Sequence, residues 1–110
     1  GTLPPEDHMA PFTNVPISFL NSLVRQLQPT FLIEVGSWKG GSALRIADAA
    51  VAATPAGSPM PCLLCIDTWL GDGGGWLDRC MGWRESLLLD RGLPGLFWQF
   101  VSNVRRRGDV

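Results

Sequence analysis

The chain has 110 residues, a formal net charge of −1 and a hydrophobic fraction of 45%. These values predict one small globular domain, and the near-neutral charge removes the electrostatic basis of a nucleic-acid-binding surface. No apolar run approaches the roughly 20 residues that span a bilayer, so we expect no membrane partner. An odd number of cysteines and the lack of a visible signal peptide favour a reducing, cytoplasmic compartment.

The first part of the chain predicts an extended lead-in, a helix and a strand. Residues 1–14 form the lead-in and are rich in proline. Apolar side chains recur at helical spacing from residue 15 to residue 27, and Pro29 ends that helix. The next run, Phe31–Val35, is short, apolar and partly β-branched, which is typical of a buried strand.

The rest of the chain predicts two more helices, a strand and a loop. Residues 42–53 are rich in alanine and predict a helix that can pack closely against a sheet. Cys62–Ile66 predicts a second buried strand. Residues 71–75 include four glycines and predict an irregular loop, and residues 96–106 predict a final helix.

The order of these elements indicates the fold class. A strand, a helix and a strand in succession form a βαβ unit with parallel strands, so the fold class is α/β. Because both strands are continuously apolar, we expect helices on both faces of the sheet.

The loop after the first strand has the features of a ligand-binding turn. Its sequence from residue 34 to residue 42 is EVGSWKGGS. Glycines let a ligand approach the backbone, and the unpaired N–H groups at the start of a helix suit a carboxylate or phosphate. Glu34 adds an acceptor for an ammonium group, and Asp67, directly after the second strand, is placed to accept both hydroxyls of a ribose. Together these features favour a nucleoside that carries an amino acid.

Other interpretations of this loop fit less well or stay open. A P-loop requires lysine where Ser42 stands, and a dinucleotide-binding loop requires glycine where Trp38 stands. The glycines could also form only a tight turn. Trp38 and Trp69 either flank an adenine or cover the apolar underside of the loop, and we expect Lys39 to lie in solvent.

Three segments carry a resemblance to a known family. They are IEVGSWKGGSAL at residues 33–44, LCIDTWLG at residues 64–71 and LFWQFVSNV at residues 96–104. They resemble the class I S-adenosylmethionine-dependent methyltransferases, in a bacterial branch near macrocin O-methyltransferase and the cephalosporin-hydroxylase-like proteins. The resemblance extends over residues 15–108 and implies a Rossmann-like fold, truncated after the first βαβ unit and the following helix. Residues 15–110 would then be the amino-terminal half of a domain that binds S-adenosylmethionine.

The resemblance also implies a function, which is O-methyl transfer from S-adenosylmethionine to a small-molecule acceptor. The residues that it assigns to cofactor binding are Glu34, Gly36, Ser37, Trp38, Lys39, Gly40, Gly41, Ser42, Asp67, Thr68 and Trp69. It assigns no catalytic residue, because in the family these lie on later strands, and it leaves open whether the 110 residues are themselves an enzyme. Two alternatives stay open: a catalytically inactive α/β domain that oligomerises, and a nucleotide- or NAD-binding Rossmann module.

The cysteines and the expected sheet lead to two further predictions. Cys62 and Cys65 form a C-x-x-C pair, but residues three apart on a strand point to opposite faces, so we expect two small core residues and no metal site. The strand that would cover the outer edge of the first strand in the resembling fold is absent. We therefore expect a homo-oligomer joined at or near the free edge of Phe31–Val35.

Overall fold

The computed structural model describes residues 2–5, 16–77 and 84–106. In this part the protein is a mixed α/β structure with four α-helices and a two-stranded parallel sheet. It divides into two compact units. The described part of the first, the sheet unit, comprises residues 16–37 and 41–66, and that of the second, the helix unit, comprises residues 2–5, 38–40, 67–77 and 84–106. No helix among the described residues is long and apolar enough to cross a membrane.

The sheet unit contains the strand–helix–strand succession that the sequence predicts. Its elements are α1 (Ile17–Leu27), β1 (Phe31–Val35), α2 (Gly41–Ala53) and β2 (Cys62–Ile66). The two strands run parallel, with Phe31 opposite Cys62 and Val35 opposite Ile66. Both strands have the predicted bounds, while α1 begins two residues later and α2 one residue earlier than the periodicity indicates.

One face of this sheet is packed against the helices. Val24 of α1 and both Ala49 and Ala50 of α2 are buried, and Leu32 of β1 packs against them. Because alanine side chains are small, the α2 backbone can come close to its neighbours. The predicted role of the alanine-rich segment is therefore confirmed.

The opposite face of the sheet is exposed, so the expectation of helices on both faces is wrong for the described residues. Phe31, Ile33 and Val35 alternate with the packed residues of β1 and are 54%, 58% and 79% exposed. Leu64 and Ile66 of β2 are exposed in the same way. The apolar sequence of a strand shows that both of its faces are hydrophobic. It does not show which elements, if any, pack against those faces.

The helix unit is built around its longest helix. Its elements are α3 (Gly73–Leu77), a 3-10 helix (Glu85–Leu87) and α4 (Leu96–Arg105). Leu87 and Leu96 are completely buried. The bounds of α4 agree with the prediction to within one residue. Residues 2–5 of the predicted lead-in have no regular secondary structure, and its other residues lie outside the described part.

The glycine-rich segment is more regular than its composition predicts. Residues 73–77 form a short helix where the glycines predict an irregular loop. The Asp72 carboxylate accepts a hydrogen bond of 2.7 Å from the Gly75 N–H, and the Trp76 indole N–H donates one of 2.7 Å to the Leu70 carbonyl oxygen. The first bond satisfies an N–H group of the first turn, and both bonds offset the low helix propensity of glycine.

Candidate functional site

The predicted site residues fall into both units. The sheet unit contains Glu34, Gly36, Ser37, Gly41 and Ser42. The helix unit contains Trp38, Lys39, Gly40, Asp67, Thr68 and Trp69. The geometry within each unit shows which of these residues have polar groups left to bind a ligand.

Glu34 lies on the packed face of β1, opposite Cys65 of β2. Its Oε1 atom is buried and has no hydrogen-bond partner in the described part of the chain. Ser37 follows two residues after β1 and is 1% exposed, and its hydroxyl has no hydrogen-bond partner there either. A buried polar atom without a partner costs about 1–3 kcal/mol. These two atoms are therefore polar groups of the sheet unit that a further hydrogen-bond partner would stabilise.

Both of these side chains affect the pKa of the Cys65 thiol. Burial raises the pKa of the Cys65 thiol, a weak interaction of the Ser37 hydroxyl with the sulfur, short of a well-formed hydrogen bond, lowers it, and the Glu34 carboxylate raises it by repulsion. The net effect is a raised pKa, so the thiol stays uncharged at neutral pH. We call these three residues the Glu34 cluster.

Gly36 follows β1 directly and has a left-handed backbone conformation, which glycine adopts more easily than other residues. Its φ is +86°, and its N–H donates a hydrogen bond of 2.8 Å to the Ile66 carbonyl oxygen. A Cβ atom at Gly36 would meet no atom within 4 Å. The helix α2 begins with Gly41 and Ser42, which are half-buried, and has no acidic side chain in its first turn. The N–H groups of such a turn lack partners within the helix and favour an anion.

Asp67 orders the backbone of the helix unit. Its Oδ2 atom accepts a hydrogen bond of 2.9 Å from the Trp38 N–H, and its Oδ1 atom accepts one of 2.7 Å from the Trp69 N–H. Both tryptophans have a left-handed backbone, with φ of +49° and +51°, which costs a residue with a side chain about 1–2 kcal/mol. Asp67 therefore stabilises two strained residues. Thr68 is exposed, and its hydroxyl accepts a hydrogen bond of 3.3 Å from the Leu70 N–H.

The two tryptophans of the predicted site have different surroundings. The ring centroid of Trp69 lies 5.2 Å from those of Phe97 and Phe100, and its indole N–H donates a hydrogen bond of 3.0 Å to the Trp38 carbonyl oxygen. These contacts support the interpretation that Trp69 covers apolar surface. Trp38 is half-buried, and its indole N–H has no hydrogen-bond partner among the described residues. Its ring centroid lies 6.0 Å from the Lys39 ammonium nitrogen.

Lys39 is buried, so the expectation that it lies in solvent is wrong. The residue is 1% exposed, and its carbonyl oxygen accepts a hydrogen bond of 2.7 Å from the Asn103 side-chain amide. Gly40 follows with φ of +91°, and a Cβ atom there would lie 3.2 Å from the Phe100 ring. Close packing of residues 39 and 40 against α4 removes Lys39 from water.

Sequence reasoning missed three buried polar residues on α4. Gln99, Ser102 and Asn103 are at most 2% exposed. The Gln99 amide donates to the Pro5 carbonyl oxygen at 2.6 Å and to the Asn103 side-chain oxygen at 3.0 Å. The Ser102 hydroxyl donates to the Pro4 carbonyl oxygen. Spacings of three and four residues place all three side chains on one helix face, and this spacing is the signal that could have identified them.

The C-x-x-C pair has no geometry for binding a metal ion. Cys62 is exposed and Cys65 is half-buried, on opposite faces of β2 as strand geometry predicts. The described residues contain no group of three side chains that could hold a metal ion. The expectation of a core position is wrong for Cys62, because this residue lies on the exposed face of the sheet.

A cavity of about 310 Å³ in the sheet unit lies away from the Glu34 cluster. Its lining includes Thr30 and Pro61, which directly precede β1 and β2. The cavity is therefore at the amino ends of the strands, whereas the glycine loop follows the carboxyl end of β1. The predicted site residues do not line it.

Comparison of the chain with protein-family models, with curated proteins and with solved structures found no match. The candidate function therefore depends on the chemistry of the two units themselves. The unpartnered atoms of the Glu34 cluster are the part of that chemistry from which a function can be proposed.

Proposed function

We propose that the chain binds S-adenosylmethionine as part of a Rossmann-like methyltransferase, which transfers a methyl group to an oxygen of a small-molecule acceptor. One observation carries the proposal: Glu34 Oε1 and Ser37 Oγ are buried and have no hydrogen-bond partner among the described residues. Both atoms belong to the carboxyl end of β1 and the turn that follows it. In α/β folds, ligands bind at the carboxyl ends of parallel strands.

The amino-acid portion of S-adenosylmethionine matches these atoms chemically. Its ammonium group can donate to Glu34 Oε1. Its carboxylate can accept from the Ser37 hydroxyl and from the first N–H groups of α2, at Gly41 and Ser42. The open space at Gly36 supports a close approach of the ligand to the backbone. A dinucleotide fits less well, because its pyrophosphate would face the negative charge of Glu34.

Asp67 is the residue to which the resemblance assigns the ribose hydroxyls. A carboxylate offers about four acceptor positions, and the N–H groups of Trp38 and Trp69 use two of them. Asp67 therefore uses about half of its acceptor capacity to order its own loop within the helix unit.

The proposed reaction needs little chemistry from the described residues. When bound, S-adenosylmethionine supplies an electrophilic methyl group on a sulfonium sulfur. The residues of the Glu34 cluster and α2 would hold and orient the cofactor, and orientation of two reactants can lower a displacement barrier by several kcal/mol, on the order of 7–11 in well-aligned systems. The resemblance places the catalytic residues on later strands, so no residue of this chain is assigned to proton transfer.

Isothermal titration calorimetry on the full chain tests the proposal, with S-adenosylhomocysteine and NAD as ligands. We expect S-adenosylhomocysteine to bind the parent chain and Glu34→Gln to bind it roughly ten- to a hundredfold more weakly, because a charge-assisted hydrogen bond is lost. Glu85→Gln, which changes an exposed carboxylate in the helix unit, is the matched control and should bind like the parent. Equal affinity in the parent and Glu34→Gln, or binding of NAD alone, would contradict the assignment.

A further inference from the structure

The exposed face of the two-stranded sheet is a continuous apolar surface. We call it the open sheet face, and its residues are Phe31, Ile33, Val35, Cys62, Leu64 and Ile66. The parallel register places these side chains in three neighbouring pairs. Five of them are between 45% and 79% exposed, and Cys62 is exposed as well. None of the six carries a charge.

The size of this face is unusual for a surface that stays in contact with water. The five large residues are each close to half exposed or more, so the face leaves several hundred Å² of apolar surface in water. The largest apolar patch on a typical monomer is about 300–600 Å² and is often functional. Two copies of the face, with the residues around it, would bury on the order of 1,000 Å² when they meet, which reaches the lower limit for a specific interface.

We propose that the open sheet face binds a second copy of this chain, sheet against sheet around a twofold axis. A twofold interface requires a surface that is complementary to itself. The open sheet face meets this condition because it is uncharged, so two copies do not repel each other there. Side chains of two facing sheets interdigitate across about 10 Å, and the six residues alternate along their strands as this packing requires.

Contact between faces is favoured over contact between strand edges. In the described part of the chain β1 pairs with β2 alone, so its other backbone edge is also available for pairing. Pairing of two β1 edges would, however, leave both apolar faces in water. Apolar burial is the main driving force for association, so the arrangement that covers the faces is the more stable one.

Sedimentation equilibrium of the full chain at micromolar concentrations tests this interface. We expect a dimer for the parent chain, and dissociation at least about a hundredfold easier for Ile33→Asp and for Leu64→Asp, because each places an unpaired charge in the contact. Phe19→Asp is the matched control: this apolar side chain is 56% exposed in α1, outside the open sheet face. The control should remain a dimer, and circular dichroism should show unchanged secondary structure in all three variants.

Two results would overturn the proposal. A dimer that survives Leu64→Asp would be joined elsewhere, for example at the β1 edge, because Leu64 lies on the other strand. A parent chain that stays monomeric at these concentrations would also overturn the proposal, and binding of an apolar dye to this monomer would show that the open sheet face remains accessible to a different partner. If Ile33→Asp does not fold, Ile33→Thr keeps the β-branched shape and should still weaken the dimer.

Discussion

The side-chain amide of Asn103 donates a hydrogen bond of 2.7 Å to the carbonyl oxygen of Lys39, 64 positions earlier in the chain. Asn103 is completely buried, and the Gln99 amide donates to its side-chain oxygen at 3.0 Å. The bond from Gln99 fixes the orientation of the Asn103 amide, so that its NH₂ group faces Lys39. A polar pair on α4 thereby holds the backbone between Trp38 and Gly40, where two residues have positive φ.

We expect Asn103→Leu to lower the free energy of unfolding by about 1–3 kcal/mol, because buried polar groups of Lys39 and Gln99 each lose a hydrogen bond. Urea denaturation followed by circular dichroism measures this change. Gln26→Leu removes an exposed amide from α1 and should change the stability by less than about 0.5 kcal/mol. Equal losses in the two variants would mean that the Asn103 bond contributes nothing specific.

A second prediction concerns the Cys65 thiol, whose pKa is raised by burial, lowered by the Ser37 hydroxyl and raised by the Glu34 carboxylate. Removal of the negative charge in Glu34→Gln should therefore lower the pKa of Cys65. The pH dependence of iodoacetamide alkylation measures it, in a Cys62→Ser, Cys80→Ser background that leaves a single thiol. Since the thiolate is the reactive form, the alkylation profile should shift to lower pH.

The control for this measurement is Glu85→Gln in the same background, which removes a carboxylate from the other unit and should leave the alkylation profile in place. A profile that does not move in Glu34→Gln would show that Glu34 and Cys65 do not interact. Binding of an ammonium group at Glu34 should shift the profile of the parent chain in the same direction as Glu34→Gln, because the ligand neutralises the same charge.

A third prediction compares two glycines with nearly the same backbone. Gly36 and Gly57 have φ of +86° and +81°, and a Cβ atom at either would meet no atom within 4 Å. We expect Gly36→Ala and Gly57→Ala to lose similar stability, about 1–2 kcal/mol, from the left-handed backbone alone. Only Gly36→Ala should also weaken the binding of S-adenosylhomocysteine, because only Gly36 follows β1. Equal affinities in calorimetry would show that the loop at Gly36 is a turn without a ligand.

The local features of the fold could be predicted from the sequence. The bounds of β1 and β2 follow from short apolar runs between turn residues, and those of α4 from helical spacing. These signals depend on neighbouring residues only. The short helix α3 escaped prediction because the low propensity of its glycines is offset by hydrogen bonds of the Asp72 and Trp76 side chains.

Features that depend on distant residues could not be predicted in the same way. Lys39 is charged and lies in a glycine-rich loop, a pattern typical of an exposed residue, yet it is buried where Asn103 of α4 binds its carbonyl oxygen. The exposed face of the sheet has the same origin, because coverage depends on which elements pack there. The sequence predicts Asp67 as a ligand-binding carboxylate. Its hydrogen bonds to the Trp38 and Trp69 backbone could not be predicted, because they depend on the conformation of two separate loops.

The core of the sheet unit is made of small side chains, with Ala49 and Ala50 beside Val24. Alanine loses no rotamer freedom on burial, but it also removes little apolar area from water. Opening this core therefore exposes little apolar area, and Leu32 of β1 is the largest described side chain that packs against it. In deuterated water we expect the amide hydrogens that form the hydrogen bonds between β1 and β2 to exchange at similar rates, because the two strands open as one cooperative unit.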